Sequence, residues 1–125
     1  MNKVSIVLIC CLLLTLTACG NQSRSTTDKP KFKPTLNVQM DLDGDKLKVT
    51  VDTDMHISPE HYGMQREEGE GHIHMYLDDQ AKIGVKENIY EFPPLPPGRH
   101  TLKVSLHNND HTPYDVTVKK EFDIK

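Results

Sequence analysis

The sequence predicts an all-β domain, an immunoglobulin-like β-sandwich of about six to seven strands. Three observations predict it. Apolar and polar residues alternate through most of the chain after residue 35, the two-residue period that turns one face of a strand to a core. Turn residues punctuate that alternation at short intervals. No segment sustains a helical period. The chain has no Trp, and its three cysteines all precede the domain, so an antibody-type domain is excluded. There is no internal repeat.

The strands follow in order. Leu36, Val38, Met40 and Leu42 alternate with polar residues up to "DGD", and Leu47, Val49 and Val51 alternate after it. Asp-Gly tolerates the positive φ of a tight turn, so these two runs read as a hairpin. "SPEH" at 58–61 suits one short helical turn, with Ser58 as N-cap and Pro59 at the first helical position. Ile73, Met75 and Leu77 form a third strand. Ile89, Tyr90 and Phe92 form a short fourth before the proline-rich "FPPLPPG". Leu102, Val104 and Leu106 give a fifth. Val116 and Val118, then Phe122 and Ile124, give a sixth, with a bulge expected at Lys119-Lys120.

The chain's first residues concern location. Lys3 precedes an apolar run from Val4 to Leu16, shorter than the roughly 20 residues of a membrane span and suited to a signal peptide. Leu16-Thr17-Ala18-Cys19 resembles the lipobox of bacterial lipoproteins, and the resemblance implies that Cys19 is acylated and becomes the first mature residue. The expected organisation is then a signal peptide over 1–18, the lipidated Cys19 and a flexible tether over 19–34, and the sandwich over 35–125. Cys10 and Cys11 leave with the leader, so no thiol remains for a disulfide, a nucleophile or a zinc site. The expected location is the bacterial cell envelope, lipid-anchored on the outer face of the cytoplasmic membrane or in the periplasm. A net charge of −3 and the lack of a basic patch argue against nucleic acid as a partner.

Seven histidines remain, and the strand period sorts them. His72, His74 and Tyr76 lie opposite the apolar set of Ile73, Met75 and Leu77. His107 likewise points outward, with His111 in the loop beyond it. His100 shares the inward face with Leu102, Val104 and Leu106 and reads as structural. Two imidazoles at i and i+2 can converge on one ion, and His107 can approach if its strand is a neighbour. Imidazole suits copper, zinc and nickel. Met64 offers a thioether that favours reduced copper, and Met55, His56 and His61 lie in or beside the same loop region. The same residues admit a structural reading, with His107 and His111 closing a turn around Asn108, Asn109 and Asp110. Glu67, Glu68 and Glu70 read as a solvated loop.

"GEGHIHMYLDD" followed by "LPPGRHTLKVSLHNNDHTPY" resembles a family of small exported immunoglobulin-like domains, mostly without an assigned function. These carry G-H-x-H-x-Y-x-D and then L-x-P-G-x-H with N-N-D-H-x-P. The resemblance carries over to His72, His74, Tyr76, Asp78, Gly98, His100, Asn108, Asn109, Asp110, His111 and Pro113. Some similar periplasmic sandwiches handle copper, which by analogy implies the same here.

An enzyme is not expected. Ser105 lies on the same face as His107, but no orienting acid or oxyanion donors are apparent. Asp78 and Asp79, adjacent in a strand, would point apart and are better suited to start a turn. The expectation is a lipoprotein that binds copper, or alternatively zinc, through His72, His74, His107 and His111, with Met64 as a weaker ligand. It would sequester the metal or deliver it to an exported or membrane protein. The alternative is a non-catalytic interaction module of the envelope whose histidines serve the fold. A third is a pH sensor built on the same histidines.

Overall fold

A computed structural model describes residues 31–125. The leader, Cys19 and the tether up to residue 30 lie outside the described residues. Eight strands form two sheets, so the expected all-β sandwich is observed. The smaller sheet has the order β1-β2-β6, with β1 Asn37–Asp43, β2 Lys46–Asp52 and β6 Ile89–Glu91. The larger runs β3-β4-β7-β8, with β3 His56–Ile57, β4 Glu70–Leu77, β7 Gly98–His107 and β8 Pro113–Ile124. β5, Ile83–Val85, pairs antiparallel with β4 along the edge that β3 also uses.

The two-residue period places the core. Val38 of β1 and Leu47, Val49 and Val51 of β2 are buried with Ile73, Met75 and Leu77 of β4 and Leu102, Val104 and Leu106 of β7. Burying each such side chain contributes about 1.5–3 kcal/mol. The β1–β2 register ends at Asp43 opposite Lys46, so Gly44 and Asp45 make the turn and Gly44 takes φ +61°. A positive φ at the first central position, where Gly stands, is the type II′ pattern that matches strand twist.

Three features differ from the expectation. The strands β3 and β5 are additional; two and three residues are too few for alternation to register. The anticipated bulge at Lys119-Lys120 is absent, since Lys119 and Lys120 pair in register with Lys103 and Leu102. The irregularity lies between Ser105 and His107, facing Pro113 to Thr117, where Asp115 adopts φ +59°. Lys120 instead takes a core-side slot on an edge strand, a placement that discourages pairing with other chains. The short turn after Ser58 is a 3-10 helix, Pro59–His61, with Pro at its start and no side-chain cap from Ser58. The Phe32 ring packs on the sandwich, meeting Tyr114 edge-on at 6.0 Å. Among the described residues, no helix is long and apolar enough to cross a membrane.

Candidate metal centre

β4 and β7 are antiparallel neighbours, with His72 opposite His107 and His74 opposite Ser105. Directly opposed residues share a face, so His72, His74, Ser105 and His107 all stand on the side of the sheet away from the core. Strand alternation alone would leave that face open to solvent. Instead His72 is 0% and His74 3% exposed. The cover is the loop between β3 and β4. Tyr62, next after the 3-10 helix, lays its ring 4.5 Å from that of His72 and 4.9 Å from that of His111. Gly84 of β5 makes room for it, because a Cβ there would collide with the Tyr62 hydroxyl.

The "NNDH" turn between β7 and β8 brings in the third imidazole. The Asn108 backbone and side-chain amides both donate to the Thr112 carbonyl, at 2.8 and 3.0 Å. Asn109 donates to the Glu70 carboxylate at 3.1 Å, while its carbonyl accepts from the Gly63 N–H at 2.8 Å. This ties the turn to the loop that covers the site. Asp110 accepts from the Thr112 N–H. Pinned on both sides, His111 adopts φ +67°, a left-handed conformation that costs an L-residue about 1–2 kcal/mol. The turn thereby directs its ring back over the sheet.

Three ring nitrogens converge. His72 Nε2 lies 2.8 Å from His74 Nε2 and 3.0 Å from His111 Nδ1, and one nitrogen from each ring falls within 4.8 Å of the others. A single proton shared among them satisfies two lone pairs and leaves a third facing them. Added protons are disfavoured. Burial, helped by His111 and His107, lowers the His72 pKa to about 4, and burial with the neighbouring His107 and His72 lowers that of His74 to about 3. Neutral imidazole is the form that binds metals. An ion about 2.0–2.1 Å from each nitrogen sets the nitrogens roughly 3.3–3.6 Å apart, so the His72–His74 and His72–His111 pairs must open by about half an ångström to accept one.

The other candidates are placed differently. His107 is not one of the converging three. Its Nδ1 donates to the His111 carbonyl at 3.0 Å, its Nε2 accepts from the Ser105 hydroxyl at 3.0 Å, and its ring stacks on His74 with 3.7 Å between centroids. It therefore braces two of the three rings. Met64 is 56% exposed, and Met55 is a core residue. His61 donates to Glu70 at 2.7 Å, which raises its pKa, and Glu70 is held low by that bond first and by Asn109 second. Glu70 shares the face of His72, yet its carboxylate is turned to His61 and Asn109. His56 lies exposed on β3. Two contributors were not singled out from the sequence, Tyr62 and Gly71. A Cβ on Gly71 would strike the His107 carbonyl and approach Met55 Sδ to 2.9 Å. A glycine inside a strand is a legible sign of such close approach.

The inward His100 has different company. Its Nδ1 lies 2.6 Å from Asp78 and its Nε2 2.7 Å from the Pro96 carbonyl. Both partners only accept, so both ring nitrogens donate and the imidazole is charged. The bond to Asp78, with that to Pro96, raises its pKa. Asp78 and Asp79 take φ +52° and +57° in the turn after β4, the expected turn role. Burial pushes the Asp78 pKa up, but bonds from His100 and the Thr101 N–H hold it below the usual carboxylate value.

No family model matches the chain, and no curated protein matches it in sequence. Among solved structures it is similar to the PKD1 domain of Vibrio anguillarum Epp, at 10% identity and a TM-score of 0.51, over 76% of this chain and 96% of that one. At that identity the likeness shows the immunoglobulin-like sandwich fold and nothing of function.

Proposed function

We propose that the protein is an extracytoplasmic lipoprotein that binds one transition-metal ion, copper in preference to zinc, through His72, His74 and His111. It sequesters the ion or hands it to an exported or membrane protein, and it is a carrier rather than an enzyme. One observation carries this reading: three imidazole nitrogens, two of them on buried residues, converge on one point. The copper preference rests on the all-imidazole donor set and, by analogy, on the similar periplasmic sandwiches that handle copper. A lipid anchor on Cys19 would confine the carrier near membrane partners and raise their effective concentration.

Equilibrium dialysis with metal analysis tests it. One equivalent of copper should be bound, and the His72→Ala/His74→Ala variant should lose it. Binding no tighter than that of a histidine-poor control protein would sink the carrier reading and leave an envelope interaction module in its place.

A further inference from the structure

Resting on that reading, we infer that the ion held by His72, His74 and His111 is monovalent, cuprous copper, and that the site is built to reject divalent ions. The argument is one of charge and coordination number. The converging group contains imidazoles only, with no carboxylate and no thiolate. The nearest acid on the same face, Glu70, is bound to His61 at 2.7 Å and to Asn109 at 3.1 Å. Asp115, beyond His107, is exposed. The charge at the mouth is positive. Lys86 Nζ stands 4.1 Å over the Tyr62 ring, which in turn lies 4.5 Å from His72.

The cost of taking an ion out of water rises with the square of its charge, and a buried charge needs compensation. A monovalent ion leaves this pocket at +1. A divalent ion leaves it at +2, with Lys86 nearby, unless it brings an anion with it. The Tyr62 ring packs against two of the three imidazoles, 4.5 Å from His72 and 4.9 Å from His111. Three nitrogen donors also complete a trigonal shell, which suits a d10 monovalent ion. Softness plays no part, since Met64 is 56% exposed and Met55 is in the core.

The test measures affinity of the full chain for copper(I) under anaerobic conditions, and for copper(II) and zinc(II), each set by a competing chelator. Copper(I) should be bound on the order of a thousandfold more tightly than either divalent ion, the scale expected of one uncompensated charge. The copper-loaded protein should be silent in electron paramagnetic resonance. Lys86→Glu, at an exposed position outside the core, should narrow the gap by improving divalent binding. Equal affinity for copper(I) and copper(II), or a copper(II) signal with nitrogen or phenolate character that His72→Ala abolishes, would overturn the monovalent assignment and leave the metal reading intact. If none of the three ions binds, the metal reading itself fails.

Discussion

The two histidine centres stand on opposite faces of the same strand pair, and they differ in the company each ring keeps. On the inward face His100 meets a carboxylate and a carbonyl, both acceptors, and is held as a cation. On the outward face His72 and His74 are more deeply enclosed, yet they meet other imidazoles and no acid, and they are held neutral. Burial alone therefore does not decide what a histidine is for. An acceptor on each nitrogen turns the ring into a structural clamp. Converging ring nitrogens with no acid beside them leave it free to serve as a ligand.

The contrast breaks most visibly if metal affinity fails to separate the two centres. His72→Ala/His74→Ala removes two of three donors and should weaken copper binding by about a thousandfold or more, well beyond the 10–100-fold typical of groups behind the ligands. His100→Ala should leave affinity unchanged and lower the melting temperature. Equal losses of affinity would erase the distinction.

The scaffold beneath the outward centre is the next target. Gly71→Ala drives a methyl group into the His107 carbonyl, with β4 and β7 unable to separate without losing their ladder. The expected destabilisation is about 3 kcal/mol or more, the upper end for overpacking, and chemical denaturation would read it. A near-neutral result would mean that the β4–β7 contact is looser than the geometry requires.

His111→Asn sharpens the account by separating function from stability. Asn tolerates the left-handed conformation better than most residues. The variant should lose copper affinity by more than the roughly 10–100-fold typical of groups behind the ligands, while its unfolding free energy stays level or rises by up to about 1 kcal/mol. A structural role for this ring would give the opposite: lower stability with unchanged metal binding.

The smallest effect is pH dependence at the inward centre. His100 has a folded pKa above its ordinary 6.5, so the stability it contributes is complete below about pH 6.5 and fades as pH rises through the folded value. Asp78 has a folded pKa below its ordinary 3.8, so its contribution is present above about pH 4 and is lost as acid titrates the folded carboxylate. Thermal unfolding of the metal-free chain should therefore show the Asp78–His100 pair stabilising most between these limits. Asp78→Asn should flatten the decline on the alkaline side. An unchanged slope would mean that His100 is not the charged partner.

Much of this arrangement is legible in the alternation of residues. The period around Ile73, Met75 and Leu77 puts His72 and His74 on the outer face, and that around Leu102, Val104 and Leu106 puts His100 inside and His107 outside. The hairpin at Gly44 follows from its local chemistry. What alternation does not contain is what covers a face. Tyr62 comes from a loop whose path depends on a two-residue strand and on the space above Gly84, so the burial of His72 and His74 could not be read from the pattern. Nor could the absence of His107 from the converging set that His111 joins. That depends on a positive φ at His111 and on a register shift beyond Ser105, both products of the turn's side-chain bonds. The interruption at Lys120 looked like a bulge because a charged residue occupied an inward position, a substitution an edge strand permits.

The central claim is tested most directly by nitrogen-15 resonance of the imidazole rings during titration with copper(I), which is diamagnetic. The account predicts that His72 Nε2, His74 Nε2 and His111 Nδ1 shift together and saturate at one equivalent. His107 should keep its Nδ1 proton and His100 both of its protons. Shifts confined to His56 or His61, or no shift at the three converging nitrogens, would contradict it.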